Sequence, residues 1–218
     1  MEVPRPFFTR RWVQLVLVFL LGLGVFWTGV WATNGLRDER DRQGQQEQAQ
    51  ERRQALQAWK AQVDSSLGAV AQPRDPLPPV IGDGIRKVAK SIEAGKELPE
   101  GTADQLVALA DMLGKGADAL EAYKLSDSIR DRGFGVDRVN TITVSRTEMV
   151  QALRLYATAA SLASDATQVE PAASKAMGTR GLQILDAADA IFADAWRGYQ
   201  LVLGDAGLLT PGVSSQAP

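Results

Sequence analysis

Between Trp12 and Thr33 the chain reads WVQLVLVFLLGLGVFWTGVWAT, a run without one charged residue in which Gln14, Thr28 and Thr33 are the polar side chains. As a helix rising about 1.5 Å per residue, its roughly 22 residues extend about 33 Å, enough to cross a hydrocarbon core of about 30 Å. This stretch, 12–33, is expected to be a transmembrane helix, and it ties everything after it to a bilayer.

The flanks set an orientation. Residues 1–11 carry Arg5, Arg10 and Arg11 against Glu2, and basic flanks stay cytoplasmic. The far side also holds Arg37, Arg40 and Arg42, so the bias is shallow; the short basic leader before the apolar run is what favours a signal-anchor with the N-terminus inside and the bulk of the chain extracytoplasmic. Arg10, Arg11 and Trp12 are the expected interface anchors at the inner end, Trp27 and Trp31 at the outer. Two rivals exist: Arg10-Arg11 resembles a twin-arginine export signal, and Val30-Trp31-Ala32 offers a cleavage point after Ala32. Against them, the h-region of a cleaved signal is typically about 7–15 residues, and tryptophans at both ends suit a resident helix. Gly22, Gly24 and Gly29 give the helix small positions compatible with a homodimer, although glycine is simply commoner in membrane helices.

The remainder of the 218 residues suffices for one domain with a buried core. The formal net charge is −2, and −4 once Arg5, Arg10, Arg11 and Glu2 are set aside, which argues against broad nucleic-acid binding. Cysteine and histidine are both absent. Disulfides and thiolate chemistry are thereby excluded, as are the commonest metal ligand and the commonest general base.

Residues 36–72 begin as a glutamine-rich, mixed-charge stalk and become amphipathic at Leu56. Leu56, Trp59, Val63, Leu67 and Val70 share one helical face, the first bundle helix. Residues 73–84 then hold four prolines and two glycines, a stiff connector in which Pro73, Pro76 and Pro79 form PxxP spacings better read as a semi-rigid linker than as a ligand for an aromatic groove. The bundle proper is expected over 85–203. A short helix carries Ile85, Val88, Ala89 and Ile92 on one side and Arg86, Lys87 and Lys90 on the other, ending at Gly95. Thr102-Ala-Asp-Gln105 has the form of a capping box opening a helix with Leu106, Leu109, Leu113, Ala117 and Leu120 inward, expected to run to about Arg132.

Residues 136–144, rich in Val, Ile and Thr, read as an extended crossover, or less readily as a strand paired with a partner chain. Ser145-Arg-Thr-Glu148 looks like a second capping box before a helix with Met149, Leu153, Tyr156, Ala160 and Ala163 on its inner face. After Pro171 the last helix shows a heptad-like, coiled-coil-style seam of Met177, Gly181, Ile184, Ala188, Ile191, Ala195 and Val202, widened by Leu185, Phe192 and Tyr199. Residues 204–218 lack periodicity and are expected to be a flexible tail.

No family motif stands out. Gly114-Lys115-Gly116 lacks the rest of a phosphate loop and reads as small residues at a close helix contact. Asp186, Asp189 and Asp194 lie on one helix, but a di-iron bundle needs Glu-x-x-His pairs, so these acids read as a solvated face. Nucleophile elbows, Ser-x-x-Lys and dinucleotide fingerprints are missing too, so no catalytic, cofactor-binding or metal residue is assigned and no cofactor is expected. The reading is an all-α protein: one N-terminal transmembrane helix, a polar helical stalk, and an extracytoplasmic antiparallel bundle of about four long helices plus one short. It is not expected to be an enzyme. The expected role is a single-pass scaffold or accessory subunit in the bacterial inner membrane, its bundle docking onto a protein partner of the cell envelope; the alternative is a sensor-like bundle that binds a small ligand. The anchor predicts that the intact chain fractionates with membranes and is released by detergent but not by alkaline carbonate. Recovery of the intact chain, Met1 included, in the soluble fraction would defeat that expectation.

Overall fold

The computed structural model describes residues 42–68, 70, 79–125, 129 and 133–209. The apolar run 12–33, its anchors Arg10, Arg11, Trp12, Trp27 and Trp31, the stalk before residue 42, residues 73–78 of the connector 73–84 and the tail beyond Leu209 lie outside the described residues. Among the described residues no helix is long and apolar enough to cross a membrane. The chain divides into two compact units, 1–50 and 51–218. In the first, residues 42–50 are helical and exposed except for the half-buried Gly44.

The second unit is all-helical among its described residues. Helix α1 occupies residues 51–68 and buries Leu56, Trp59, Val63 and Leu67, four of the five positions its periodicity marks; the fifth, Val70, lies in a turn and is partly buried. Helix α2, Asp83–Glu93, buries Ile85, Ala89 and Ile92. It stops where Gly95 turns to φ 66° and the Lys96 N–H donates to the Ser91 carbonyl at 2.9 Å. Helix α3, Thr102–Ala122, buries Leu106, Leu113, Ala117 and Leu120. It begins at the expected residue by a different device: the Thr102 hydroxyl donates backwards to the Pro99 carbonyl at 2.6 Å, and Gly101 supplies the left-handed cap at φ 77°. It also ends at Ala122, nearly three turns before the expected stop at about Arg132, with Tyr123 extended.

The largest correction concerns residues 136–144, which are not an extended crossover. Helix α4 runs Val136–Asp165 without interruption, followed by a 3-10 turn at Ala166–Gln168. β-Branched residues lower helix propensity by only about 0.5 kcal/mol each, less than burial of one side chain returns. The even register misled because Val136 and Val144 are exposed while Ile142 is buried at its own helical position. The threonines give up their strand preference by bonding back along the helix, Thr141 to the Asp137 carbonyl at 2.9 Å, Thr143 to Val139 at 2.8 Å and Thr147 to Thr143 at 2.9 Å. Ser145 is therefore a buried mid-helix residue rather than a cap.

Helix α5, Pro171–Asp205, starts with proline in its first turn. Its buried stripe is Leu185, Ala188, Phe192, Ala195, Trp196, Tyr199 and Val202, whereas Met177, Ile184 and Ile191 are only partly buried, so the expected seam is rotated toward its aromatic edge. The helix closes with Gly207 at φ 64° and the Leu208 N–H donating to the Leu203 carbonyl at 3.0 Å. Leu208 and Leu209, expected in the tail, pack partly on the core.

Long-range contacts fix antiparallel neighbours. Gln62 of α1 donates to the Ala119 carbonyl of α3 at 3.1 Å, and the Ser66 carbonyl lies over Gly116. Ser164 of α4 donates to the Ala103 carbonyl of α3 at 3.2 Å, while Arg146 reaches Tyr123 at the other end of the pair. Arg138 meets Asp205, and Tyr156 meets Asp189, between α4 and α5. Thr179 of α5 donates to Glu93 of α2 at 3.0 Å. The interior is closed by rings: Trp59 contacts Tyr123 and Tyr199, and Phe192 contacts Tyr156 and Trp196, with centroids 5.9–6.4 Å apart.

Gly116 tests the closeness of α1 and α3, since a Cβ there would stand 2.7 Å from the Ser66 carbonyl oxygen, whereas one on Gly114 meets nothing within 4 Å. Gly116→Ala is expected to destabilise by about 1–3 kcal/mol despite its better helix propensity. Gly114→Ala should stabilise by about 0.5–1 kcal/mol. Thermal melts of the two variants that shifted in the same direction would contradict this packing.

Candidate functional site

The acids that stood out in the sequence on α5 sit in a polar cluster joining three helices. Arg86, half-buried on α2, donates from Nη1 to Asp186 Oδ1 at 2.7 Å and from Nη2 to Asp189 Oδ2 at 2.5 Å. The Tyr156 hydroxyl on α4 donates to the other oxygen of Asp189 at 2.5 Å. Asp186 and Asp189 are exposed, as the sequence suggested, but both are engaged with Arg86 rather than simply solvated. Gly82, just before α2, lets the chain settle on this cluster: a Cβ there would be 3.0 Å from Tyr156 Cε1 and 3.4 Å from Asp189 Oδ1.

The electrostatics follow from the geometry. Burial, and then the hydrogen bond and negative charge of Asp189, push the Tyr156 phenol well above its ordinary value, so it stays protonated across the physiological range. The side-chain bond to Asp186, aided by Asp189, raises the Arg86 guanidinium further despite some desolvation. A phenol this reluctant to ionise is a poor nucleophile and a poor acid, and Asp189 already accepts on both oxygens. The cluster can hold α2 against α4 and α5. Asp194 stands apart, paired with Arg197 at 2.8 Å on the surface. Among the described residues no group of three or more Asp, Glu, His or Cys side chains is placed to hold a metal ion.

A second feature is a groove of about 530 Å³ along α3 and α4, lined by Val107, Ala110, Asp111, Ala157, Ser161 and Asp165 among others. Val107 stands on it 57% exposed. Small residues make the groove shallow enough for another backbone to come close, and an exposed valine beside them is apolar surface without a partner inside the fold. Asp111 is held by Lys115 at 2.6 Å, and Thr158, Ser161, Ser164 and Asp165 give the α4 wall a polar edge.

The sequence did not single out Arg86, Tyr156, Gly82 or Val107 as site residues. Arg86 lay on the polar side of a short helix, and its partners are about a hundred positions away, so periodicity could not join them. Arg10, Arg11, Trp12, Trp27 and Trp31 fall outside the described residues and are not placed against either feature.

No family model matches the chain, and neither the curated proteins nor the solved structures yield a match. What the site does has to be argued from its chemistry.

The Tyr156 proton is held more tightly in the folded chain than in the unfolded one, whose tyrosine titrates near about pH 10. Its contribution to stability is therefore complete below about pH 10 and is lost as pH rises from there toward the folded value. Tyr156→Phe, measured by denaturant midpoint, is expected to cost about 1–2 kcal/mol at pH 7 through the lost bond to Asp189. The gap between wild type and variant should shrink by pH 11. A gap that widens with pH would reject the assignment.

Proposed function

We propose that the protein is a single-pass, membrane-anchored scaffold or accessory subunit, with residues 12–33 in the bacterial inner membrane, the N-terminus cytoplasmic and the helical bundle docking onto a protein partner outside. The anchor rests on the length and uncharged character of the apolar run and on the basic residues before it. The docking role rests on one observation, the α3–α4 groove with Val107 exposed beside Ala110 and Ala157. Its shape suits a partner helix that presents apolar side chains, because small residues on one side allow the other side's knobs to enter.

The remainder of the bundle is consistent with a body built to hold a surface in place. The acids that might have served chemistry are used to brace α2, and the aromatic side chains are spent on the interior. A rigid platform reduces the ordering cost of association, which is where a modest groove gains affinity.

A photo-reactive side chain placed at Val107 of the full-length protein in its native membrane should form a reproducible adduct of one mass with a second protein. The same probe at exposed Lys175 on α5 should not. Equal yields at the two positions, or uncross-linked monomer at both, would contradict docking through this groove.

A further inference from the structure

At the end of the α3–α4 pair remote from the docking groove lies a cavity of about 380 Å³, lined by Glu121, Tyr123, Lys124, Leu125, Ile129, Val139, Ile142, Thr143 and Arg146. We propose that this cavity binds a small apolar monocarboxylate, its carboxylate on Arg146 and its tail against Leu125, Ile129, Val139 and Ile142. The inference goes beyond the docking role and does not rest on it.

Arg146 carries the argument. Its Nη1 donates to the Tyr123 carbonyl at 2.7 Å, which fixes the guanidinium where α3 ends and the chain turns away. Its Nε is buried and has no hydrogen-bond acceptor. Among the described residues no carboxylate forms an ion pair with Arg146: the one acid lining the cavity, Glu121, is engaged by Arg154 at 2.5 Å. A half-buried guanidinium whose hydrogen bond goes to a neutral carbonyl leaves its positive charge uncompensated on the cavity wall, with donors for an anion there. The planar fork of arginine matches two oxygens of a carboxylate.

The other walls decide what the anion is attached to. Leu125, Ile129 and Ile142 are buried, and Val139 is partly buried beside them. The Thr143 hydroxyl is directed to the Val139 carbonyl at 2.8 Å and so is turned to its own helix. One cationic fork and a row of aliphatic side chains in a cavity of this size favour a short apolar tail over a bare inorganic ion or a sugar.

The test is equilibrium dialysis of labelled hexanoate against the full-length protein in detergent, with empty micelles as reference. Saturable one-to-one binding with a dissociation constant of about 1 mM or tighter is expected. Arg146→Met keeps the aliphatic stem and should weaken binding at least about tenfold. Thr143→Trp, at an exposed position on the cavity wall, should block it even if Arg146→Met does not fold. Hexanol and inorganic phosphate, each with half of the recognised chemistry, should bind at least about tenfold more weakly than hexanoate. Absence of saturation by about 10 mM hexanoate overturns the proposal. So does wild-type affinity in whichever of the two variants folds, or phosphate binding as tight as that of hexanoate.

Discussion

The bundle depends on a stripe of rings along α5. Phe192, Trp196 and Tyr199 fall on one side of that helix, and each meets an aromatic neighbour: Phe192 packs on Tyr156 of α4, Trp196 lies 4.9 Å from Tyr199, and Tyr199 meets Trp59 of α1, which in turn touches Tyr123 where α3 ends. Four chain segments are joined through one chain of rings. Such pairs contribute about 0.5–1.5 kcal/mol each beyond their buried area, and their offset and edge-on geometries fix the rotation of each helix. Aliphatic side chains alone would bury as much surface with less control over that rotation.

Where the rings fill space, small residues remove it. Gly116 receives the Ser66 carbonyl, Gly178 lies under the Ala89 carbonyl and Ile92 of α2, and Gly198 faces Ser145. Each costs helix propensity of up to about 1 kcal/mol relative to alanine, offset by closer contact between whole helices. Helix α2 is shorter than α1, α3, α4 and α5 and buries Ile85, Ala89 and Ile92 as its apolar face, so the polar links of Arg86, Asp186, Asp189 and Tyr156 matter most there. With both acids exposed, that brace acts more through geometry than through large net energy.

Much of this was legible in the sequence, for reasons that also explain what was not. Steps of three and four placed the inner faces of α1, α2, α3 and the second half of α4, because a single wide apolar stripe leaves little choice of rotation. The start of α4 was hidden by its composition: Val136, Thr141, Thr143 and Val144 favour strands locally, and the helical outcome depends on burial of Ile142 and on hydroxyls bonding back along the chain. Ser145 matched a capping pattern while lying inside a helix, since the pattern has no way to tell a first turn from a middle one. On α5 two apolar stripes compete, and which of Ile184 and Leu185 turns inward is settled by rings on other helices. The Arg86 cluster joins residues about a hundred positions apart, and the Arg146 cavity depends on where α3 stops and α4 starts, two boundaries that composition did not mark, so neither leaves a local signature.

If the ring stripe of α5 is what the fold depends on, its backbone should open last. Amide hydrogen exchange on the full-length protein measures this directly. The amides of residues 185–203 in α5, with 149–160 facing them in α4, are expected to exchange only with global unfolding, while those of α2, tied on by a polar brace, exchange sooner by local opening. Exchange in 185–203 that is faster than in Asp83–Glu93 would contradict the account.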